Sequence, residues 1–218
     1  MNQPPLERIA ALGAGRMGRG IAIVFAYAGH PVTLVDLTTR ADGAADALRD
    51  AAMRDIAAQL DALSAAGLFA ASETTAILRR IDFAPAAAAA EAMARADVLF
   101  EGVPEVLAAK HQALASASRA ARPDAIIAST TSTILVDDLA GHVERPERFL
   151  NAHWLNPAYL IPLVELSPGA GTDAAVLARL KALLERIGKV PVVCAAAPGY
   201  IVPRIQALAM NEAARLVE

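Results

Sequence analysis

Ile9-Ala10-Ala11-Leu12 is a short apolar run, followed by the turn Gly13-Ala14-Gly15-Arg16-Met17-Gly18 and by small and apolar residues from Gly20 to Ala28. The run reads as a strand and the longer stretch as a helix, closed by Gly29, a residue able to take φ > 0. Val32-Thr33-Leu34-Val35-Asp36 then reads as a strand ending on an acid. From Ala41 to Ala66 the apolar residues Leu48, Met53, Ile56, Leu60 and Leu63 recur at helical spacing up to Gly67. A short helix over 72–80, a strand at Ile81-Asp82-Phe83 and an alanine-rich helix over 86–95 follow. Asp97-Val98-Leu99-Phe100-Glu101 is a fourth strand. A helix can start at Pro104, where a missing N–H does no harm, and run to Ala121. Ala125-Ile126-Ile127-Ala128 is a fifth strand.

Strands alternating with helices call for a parallel sheet covered on both faces, hence an α/β, Rossmann-type doubly wound fold, mostly parallel. Ligands of such sheets bind outside the carboxyl ends of the strands. That rule makes Gly13 to Gly18, Asp36, Glu101 to Glu105 and Ser129 to Thr133 neighbours of one crevice. The alternation then breaks. Phe149 to Trp154 and Leu163 to Leu166 read as strands around the proline-bounded loop over 156–162, a helix spans 173–187 up to Gly188, and Val190 to Cys194 is a last strand. The final helix, 200–218, carries Ile201, Ile205, Leu208, Glu212 and Leu216 near one face, an apolar stripe with nothing after it to bury it.

The glycine turn carries the most specific chemistry. Gly13 permits a sharp turn, Gly15 leaves no side chain between backbone and a pyrophosphate, and Gly18 lets helix and strand pack closely. The N–H groups and dipole of the helix start favour the phosphate charge. Because the turn follows a strand, opens a helix and precedes the acid Asp36 at the expected distance, the motif reads as a dinucleotide site rather than a structural turn. Asp36 would accept hydrogen bonds from a ribose diol and repel a 2′-phosphate, which favours NAD over NADP. Arg40 nearby reads as a solvated loop arginine.

Hydrophobic residues make up 56% and charged residues 20% of the 218-residue chain, enough for a substantial core. The net charge of −3 argues against a nucleic-acid surface. One cysteine and four histidines leave no disulfide framework and no plausible structural zinc site, and Cys194 reads as a strand thiol. No signal-like stretch is read before Leu6 and no apolar run reaches the ~18 residues of a membrane span, so the expected setting is soluble and cytoplasmic.

Glu165 lies inside the apolar run Leu163-Val164-Glu165-Leu166, where an unpartnered carboxylate is costly. His153 on the adjoining strand is a natural partner, and a histidine oriented by a carboxylate is what a general base requires. The alternative is a structural histidine and a surface-facing glutamate. Ser129-Thr130-Thr131-Ser132-Thr133 offers hydroxyls to a substrate or nicotinamide, or caps the helix that follows. His30, His111 and His142 are weaker candidates.

With these residues assembled, the chain resembles the L-3-hydroxyacyl-CoA dehydrogenase family. The resemblance rests on Gly13-Ala14-Gly15-Arg16-Met17-Gly18-Arg19-Gly20, on Glu101-Gly102-Val103-Pro104-Glu105 with Lys110, and on Ser129-Thr130-Thr131-Ser132. It continues through His153-Trp154-Leu155-Asn156-Pro157, Leu163-Val164-Glu165-Leu166 and Pro198-Gly199-Tyr200-Ile201-Val202. It implies NAD as cofactor, bound by Gly13, Ala14, Gly15, Arg16, Met17, Gly18, Asp36, Glu105, Lys110, Ser132 and Asn156. It also implies His153 as the base that removes a hydroxyl proton, Glu165 as the group orienting it, and Ser132 and Asn156 as hydrogen-bonding groups around the substrate oxygen and nicotinamide. The substrate would be a small molecule, an acyl-CoA or a hydroxy acid of fatty acid metabolism, with no nucleic-acid or membrane partner. Residues 1–198 would form the NAD-binding domain carrying the His/Glu pair. Residues 199–218 would begin a helical domain that makes a homodimer.

Three departures from the family pattern stand out. Pro203 replaces the usual asparagine before Arg204, and Ala52 and Gln59 stand where the acyl-CoA enzymes carry a serine and a lysine that meet coenzyme A. The family's helical domain should also continue past Glu218. Two rivals follow. One is a β-hydroxyacid dehydrogenase using a catalytic lysine, for which Lys181 and Lys189 look structural. The other is an NAD-fold protein without turnover.

Overall fold

Eight short strands, four of them with every residue buried, make one sheet in this computed structural model, which describes residues 6–217. Residues 1–5 of the expected first domain and Glu218 of the expected last helix lie outside the described residues. The strands are β1 (Ile9–Leu12), β2 (Val32–Val35), β3 (Ile81–Ala84), β4 (Val98–Glu101), β5 (Ile126–Ser129), β6 (Phe149–Trp154), β7 (Leu163–Pro168) and β8 (Val190–Val193). Their order is β3-β2-β1-β4-β5-β6-β7-β8. The first six are parallel, β7 runs antiparallel to β6, and β8 is parallel to β7.

The helices are α1 (Arg16–Tyr27), α2 (Ala44–Ala65), α3 (Thr74–Leu78), α4 (Ala89–Ala94), α5 (Leu107–Ala120), α6 (Val136–Ala140), α7 (Ala174–Arg186) and α8 (Val202–Arg215). Parallel strands need crossovers, and the helices that provide them bury the two faces of the sheet. α1, α2, α3 and α7 pack in one core, where Phe25, Phe100 and Trp154 meet with ring centroids 5.5 to 6.1 Å apart. α4, α5 and α6 pack in the other.

Among the helix starts that differ from the sequence reading, two lie beside the candidate site. α1 begins at Arg16 rather than Gly20, because the latter half of the glycine turn already forms the first helical turn. α5 begins at Leu107 rather than near Pro104, because Glu105 turns back to bond the segment after β5. None of the residues of α8 is buried, and Ile205, Leu208 and Leu216 are 61%, 71% and 81% exposed.

Candidate active site

The strand order reverses between β1 and β4, and the glycine turn lies at that switch point. Gly13 takes φ +102°, and a Cβ there would stand 3.1 Å from the Gly102 carbonyl oxygen. A Cβ on Gly18 would stand 2.0 Å from the Gly13 carbonyl oxygen, so the close approach of α1 to β1 admits no side chain. Gly15 is the opposite case: a Cβ there would meet nothing within 4 Å. The space over the start of α1 is open, no side chain caps that helix, and its first turn holds no acid. Its unpaired N–H groups and dipole are therefore left for an anion. The Arg16 side chain is exposed and that of Met17 packs on the core. Arg19 braces the turn, donating to the Ala14 carbonyl at 3.0 Å and pairing with Asp55 of α2 at 2.8 Å.

Asp36 follows β2 and is 4% exposed. Its carboxylate accepts from Arg40 Nε at 2.5 Å and Nη2 at 3.2 Å, and from Thr38 N at 3.2 Å. Arg40 is an exposed loop residue, as read from the sequence, and its guanidinium also pairs with Asp36, its position four residues on letting it reach back. A carboxylate offers about four lone-pair sites, so a ribose diol must share Asp36 with Arg40 or displace it. A cleft of about 660 Å³ opens beside it, between Leu37 and Thr38 after β2, Val103 and Pro104 after β4, and α5. Open phosphate cradle, ribose acid and adjoining cleft together fit a dinucleotide.

Beyond β4 a buried charge network braces the neighbouring loop. Lys110 and Glu101 are both 0% exposed. Lys110 Nζ lies 3.0 Å and 3.1 Å from the two Glu101 oxygens and 3.2 Å from Glu105, and Ser129 donates to Glu101 at 2.5 Å. Glu105 accepts from the Ser132 N–H at 2.9 Å, the Thr133 N–H at 3.3 Å and the Thr131 hydroxyl. Burial opposes the Glu105 charge, but the bond from Thr131, the Lys110 charge and the Ser132 N–H outweigh it and hold its carboxyl below the ordinary value. Lys110, expected from the resemblance to contact the cofactor, has no exposed surface, and its ammonium stands behind Glu105. The hydroxyl cluster does not cap α6, whose N-cap is Leu135; Thr131 instead accepts from Ile134 N at 3.1 Å and fixes the turn.

His153 and Glu165 are directly opposed on the antiparallel strands β6 and β7, so their side chains share a face. His153 Nδ1 lies 2.8 Å from Glu165 Oε2, with the residues 5% and 0% exposed. The other Glu165 oxygen accepts the Ile201 and Val202 N–H groups, at 2.8 and 2.9 Å, where α8 begins. An acceptor at Nδ1 fixes the proton there and leaves Nε2 with the free lone pair, the form a base requires. Pro203 falls in the first turn of α8, where an absent N–H costs nothing.

Tyr200 stacks on the imidazole, with centroids 5.1 Å apart and planes 17° apart. Ser132 is half-buried, and Asn156 is exposed two residues beyond β6. Neither side chain hydrogen-bonds to His153 among the described residues. The loop after Asn156 is pinned by Lys189, whose ammonium donates to the Ala158 and Ile161 carbonyls at 2.5 and 3.0 Å. The remaining histidines stand elsewhere: His30 bonds the Glu7 backbone at 3.0 Å, and His111 stacks on His142. Sequence reasoning missed the work of Tyr200 and the way Glu101 is held. The signal for Glu101 was available, since it ends an apolar strand as Glu165 interrupts one.

The profile of the family described as 3-hydroxyacyl-CoA dehydrogenase, NAD binding domain, matches residues 8–197. The chain belongs to the 3-hydroxyacyl-CoA dehydrogenase family. Solved structures agree. It is 30% identical to (S)-3-hydroxybutyryl-CoA dehydrogenase from Ralstonia eutropha, with TM-score 0.87 over 96% of this chain and 70% of that one. It is 32% identical to a 3-hydroxybutyryl-CoA dehydrogenase from Escherichia coli, with TM-score 0.81 over 91% of this chain and 40% of that one. It is also 30% identical to a 5-formyl-3-hydroxy-2-methylpyridine 4-carboxylic acid 5-dehydrogenase described as an NAD+-dependent dismutase, with TM-score 0.83 over 98% of this chain and 65% of that one. Membership makes the chain an NAD-dependent oxidoreductase of the hydroxyacyl dehydrogenase class, and the open cradle over Gly15 and the acid Asp36 fit that cofactor. Among the described residues, no helix is long and apolar enough to cross a membrane.

Proposed function

We propose that this dehydrogenase oxidises the secondary alcohol of a 3-hydroxyacyl-CoA, or of a related 3-hydroxy acid, to the ketone, with His153 as the general base. The observation that carries this is the buried 2.8 Å contact between His153 Nδ1 and Glu165, which leaves Nε2 ready for a hydroxyl proton. When bound, NAD supplies the acceptor for the hydride leaving C3. Losing the proton to His153 and the hydride together avoids a cationic carbonyl. Glu165 keeps the ring oriented and its charge opposes that of the imidazolium. Ser132 and Asn156 hydrogen-bond the substrate oxygen and the nicotinamide, and Glu105 contacts the cofactor while fixing the Ser132 loop. General-base catalysis is worth about 10²–10⁴ in rate, so His153→Gln should lower kcat by that order and leave NAD affinity within a few-fold. NADH formation that persists undiminished in His153→Gln removes the residue from the mechanism.

A second reading, an acid lacking coenzyme A, is favoured by one observation. Ala52 is 0% exposed and Gln59 is tied to Asp55 at 2.5 Å, so neither position reaches toward a coenzyme A moiety. Measuring catalytic efficiency with the thioester 3-hydroxybutyryl-CoA and with free 3-hydroxybutyrate separates the two, and tight NAD binding with no turnover of either would favour the rival without catalysis. We further propose that residues 199 onward open a helical domain and that the exposed face of α8 belongs to a homodimer. Fatty acid metabolism in the cytoplasm is the setting consistent with this activity.

A further inference from the structure

Gly199 to Val202 do more than join β8 to α8. Tyr200 is 6% exposed and takes φ +42°, the only non-glycine residue among those described with a positive φ. An aromatic residue in that region is strained, and it persists where its surroundings hold it. The surroundings are specific. The ring lies nearly parallel to the His153 imidazole. The hydroxyl donates to the Thr131 carbonyl at 3.0 Å and accepts from Asn151 Nδ2 at 2.9 Å. Asn151 also donates to the Ile134 carbonyl at 3.0 Å, so one side chain of β6 and one phenol hold both ends of the segment containing Ser132. The next two backbone N–H groups are those that hold Glu165.

We propose that Tyr200 is a positioning residue for the reaction: its ring fixes the plane of the His153 imidazole, and its hydroxyl sets that ring relative to the loop bearing Ser132. The proposal rests on His153 being the base. An imidazole bonded to a carboxylate through one nitrogen can still swing about that bond, and Nε2 swings farthest. A parallel ring on one face removes this freedom and keeps water from the Nδ1–H···Oε2 bond. Tyr200 acts through His153, so its loss should appear in kcat rather than in binding. Misplacement of a reacting group by about 1 Å costs on the order of 10²-fold.

The test compares Tyr200→Phe, which keeps the ring, with Tyr200→Leu, which removes it. His153→Gln serves as reference, all on the full chain with NAD and 3-hydroxybutyryl-CoA. Tyr200→Leu should lose roughly 10²-fold in kcat with both KM values within about threefold, and Tyr200→Phe should recover most of that loss. The low-field proton resonance of the His153 Nδ1–H should stay sharp in Tyr200→Phe and broaden by water exchange in Tyr200→Leu. Should Tyr200→Leu fail to fold, the resonance and kcat of Tyr200→Met, which fills the space without a ring, decide the question. Loss confined to KM, equal loss in Tyr200→Phe and Tyr200→Leu, or a sharp resonance in Tyr200→Leu overturns the proposal. Full turnover in His153→Gln instead overturns the base assignment, a failure distinct from that of Tyr200.

Discussion

Replacing Glu165 by glutamine is the sharpest probe of the pair, because it changes charge and hydrogen-bond direction while preserving shape. In the native site one oxygen accepts two backbone N–H groups at the start of α8 and the other accepts His153 Nδ1–H. A glutamine must turn its oxygen one way and its NH₂ the other. Facing the NH₂ toward α8 sets it against two donors; facing it toward His153 sets it against one. A buried donor left without an acceptor costs about 1–3 kcal/mol, so the second orientation wins by that margin, a factor of roughly five or more. No water can correct the mismatch, since the residue is 0% exposed.

His153 must then accept at Nδ1 and carry its proton on Nε2, the nitrogen proposed to take the substrate proton. The wrong tautomer in a comparable histidine–carboxylate site costs about 10⁴ in kcat, and general-base catalysis as a whole is worth about 10²–10⁴. We expect kcat for NADH formation to fall about 10³-fold. Three charge-assisted bonds become neutral ones, which at about 1 kcal/mol each costs up to about 3 kcal/mol in urea unfolding. Nitrogen-15 spectra should report the proton moved from Nδ1 to Nε2. A Glu165→Gln enzyme keeping more than about a tenth of wild-type kcat, or losing it without the tautomer change, would refute this reasoning.

The glycine turn separates folding from binding. Gly15→Ala, at φ −76° with open space before it, should stabilise the fold slightly, by up to about 1 kcal/mol, yet weaken NAD binding at least about tenfold by calorimetry. Gly18→Ala meets a backbone oxygen at 2.0 Å and should cost about 3 kcal/mol or more in denaturant unfolding. Asp36→Asn should raise the preference for NADP over NAD, measured as relative catalytic efficiency, at least about tenfold, by removing the repelling charge and freeing Arg40 for a 2′-phosphate; an unchanged preference refutes it. Because the Glu105 carboxyl is held below its ordinary 4.5, the stability it contributes is in place above pH 4.5 and is lost as pH falls through the lowered value. A Glu105→Gln protein should therefore show a flatter acid limb in thermal unfolding below pH 4.5 than the wild type does.

Local pattern carried much of this structure because its strands are short, apolar and separated by helices of clear period. Each of the strands read from the chain is present, with ends shifted by a residue or two. One helix start moved because a side chain bonds across the fold: Glu105 delays α5 because its partners Thr131 to Thr133 lie after the next strand, a contact no local window contains. The charge-in-an-apolar-run argument located Glu165 and its partner correctly, since strand pairing fixes which residues oppose one another once register is known. Applied to Glu101 it would have drawn Lys110 inward. Lys110 stands on the helix after that strand, where helical spacing alone marks it as an ordinary surface lysine. Tyr200 stood in a stretch that carries the family resemblance, yet its contacts could not be read, for a different reason. Its environment is assembled from β6, the segment after β5 and the imidazole, and its left-handed backbone conformation has no signature except the preceding Gly199. The residues proposed to bear the chemistry could thus be read from type and neighbours, whereas those proposed to aim them depend on contacts between segments tens of positions apart.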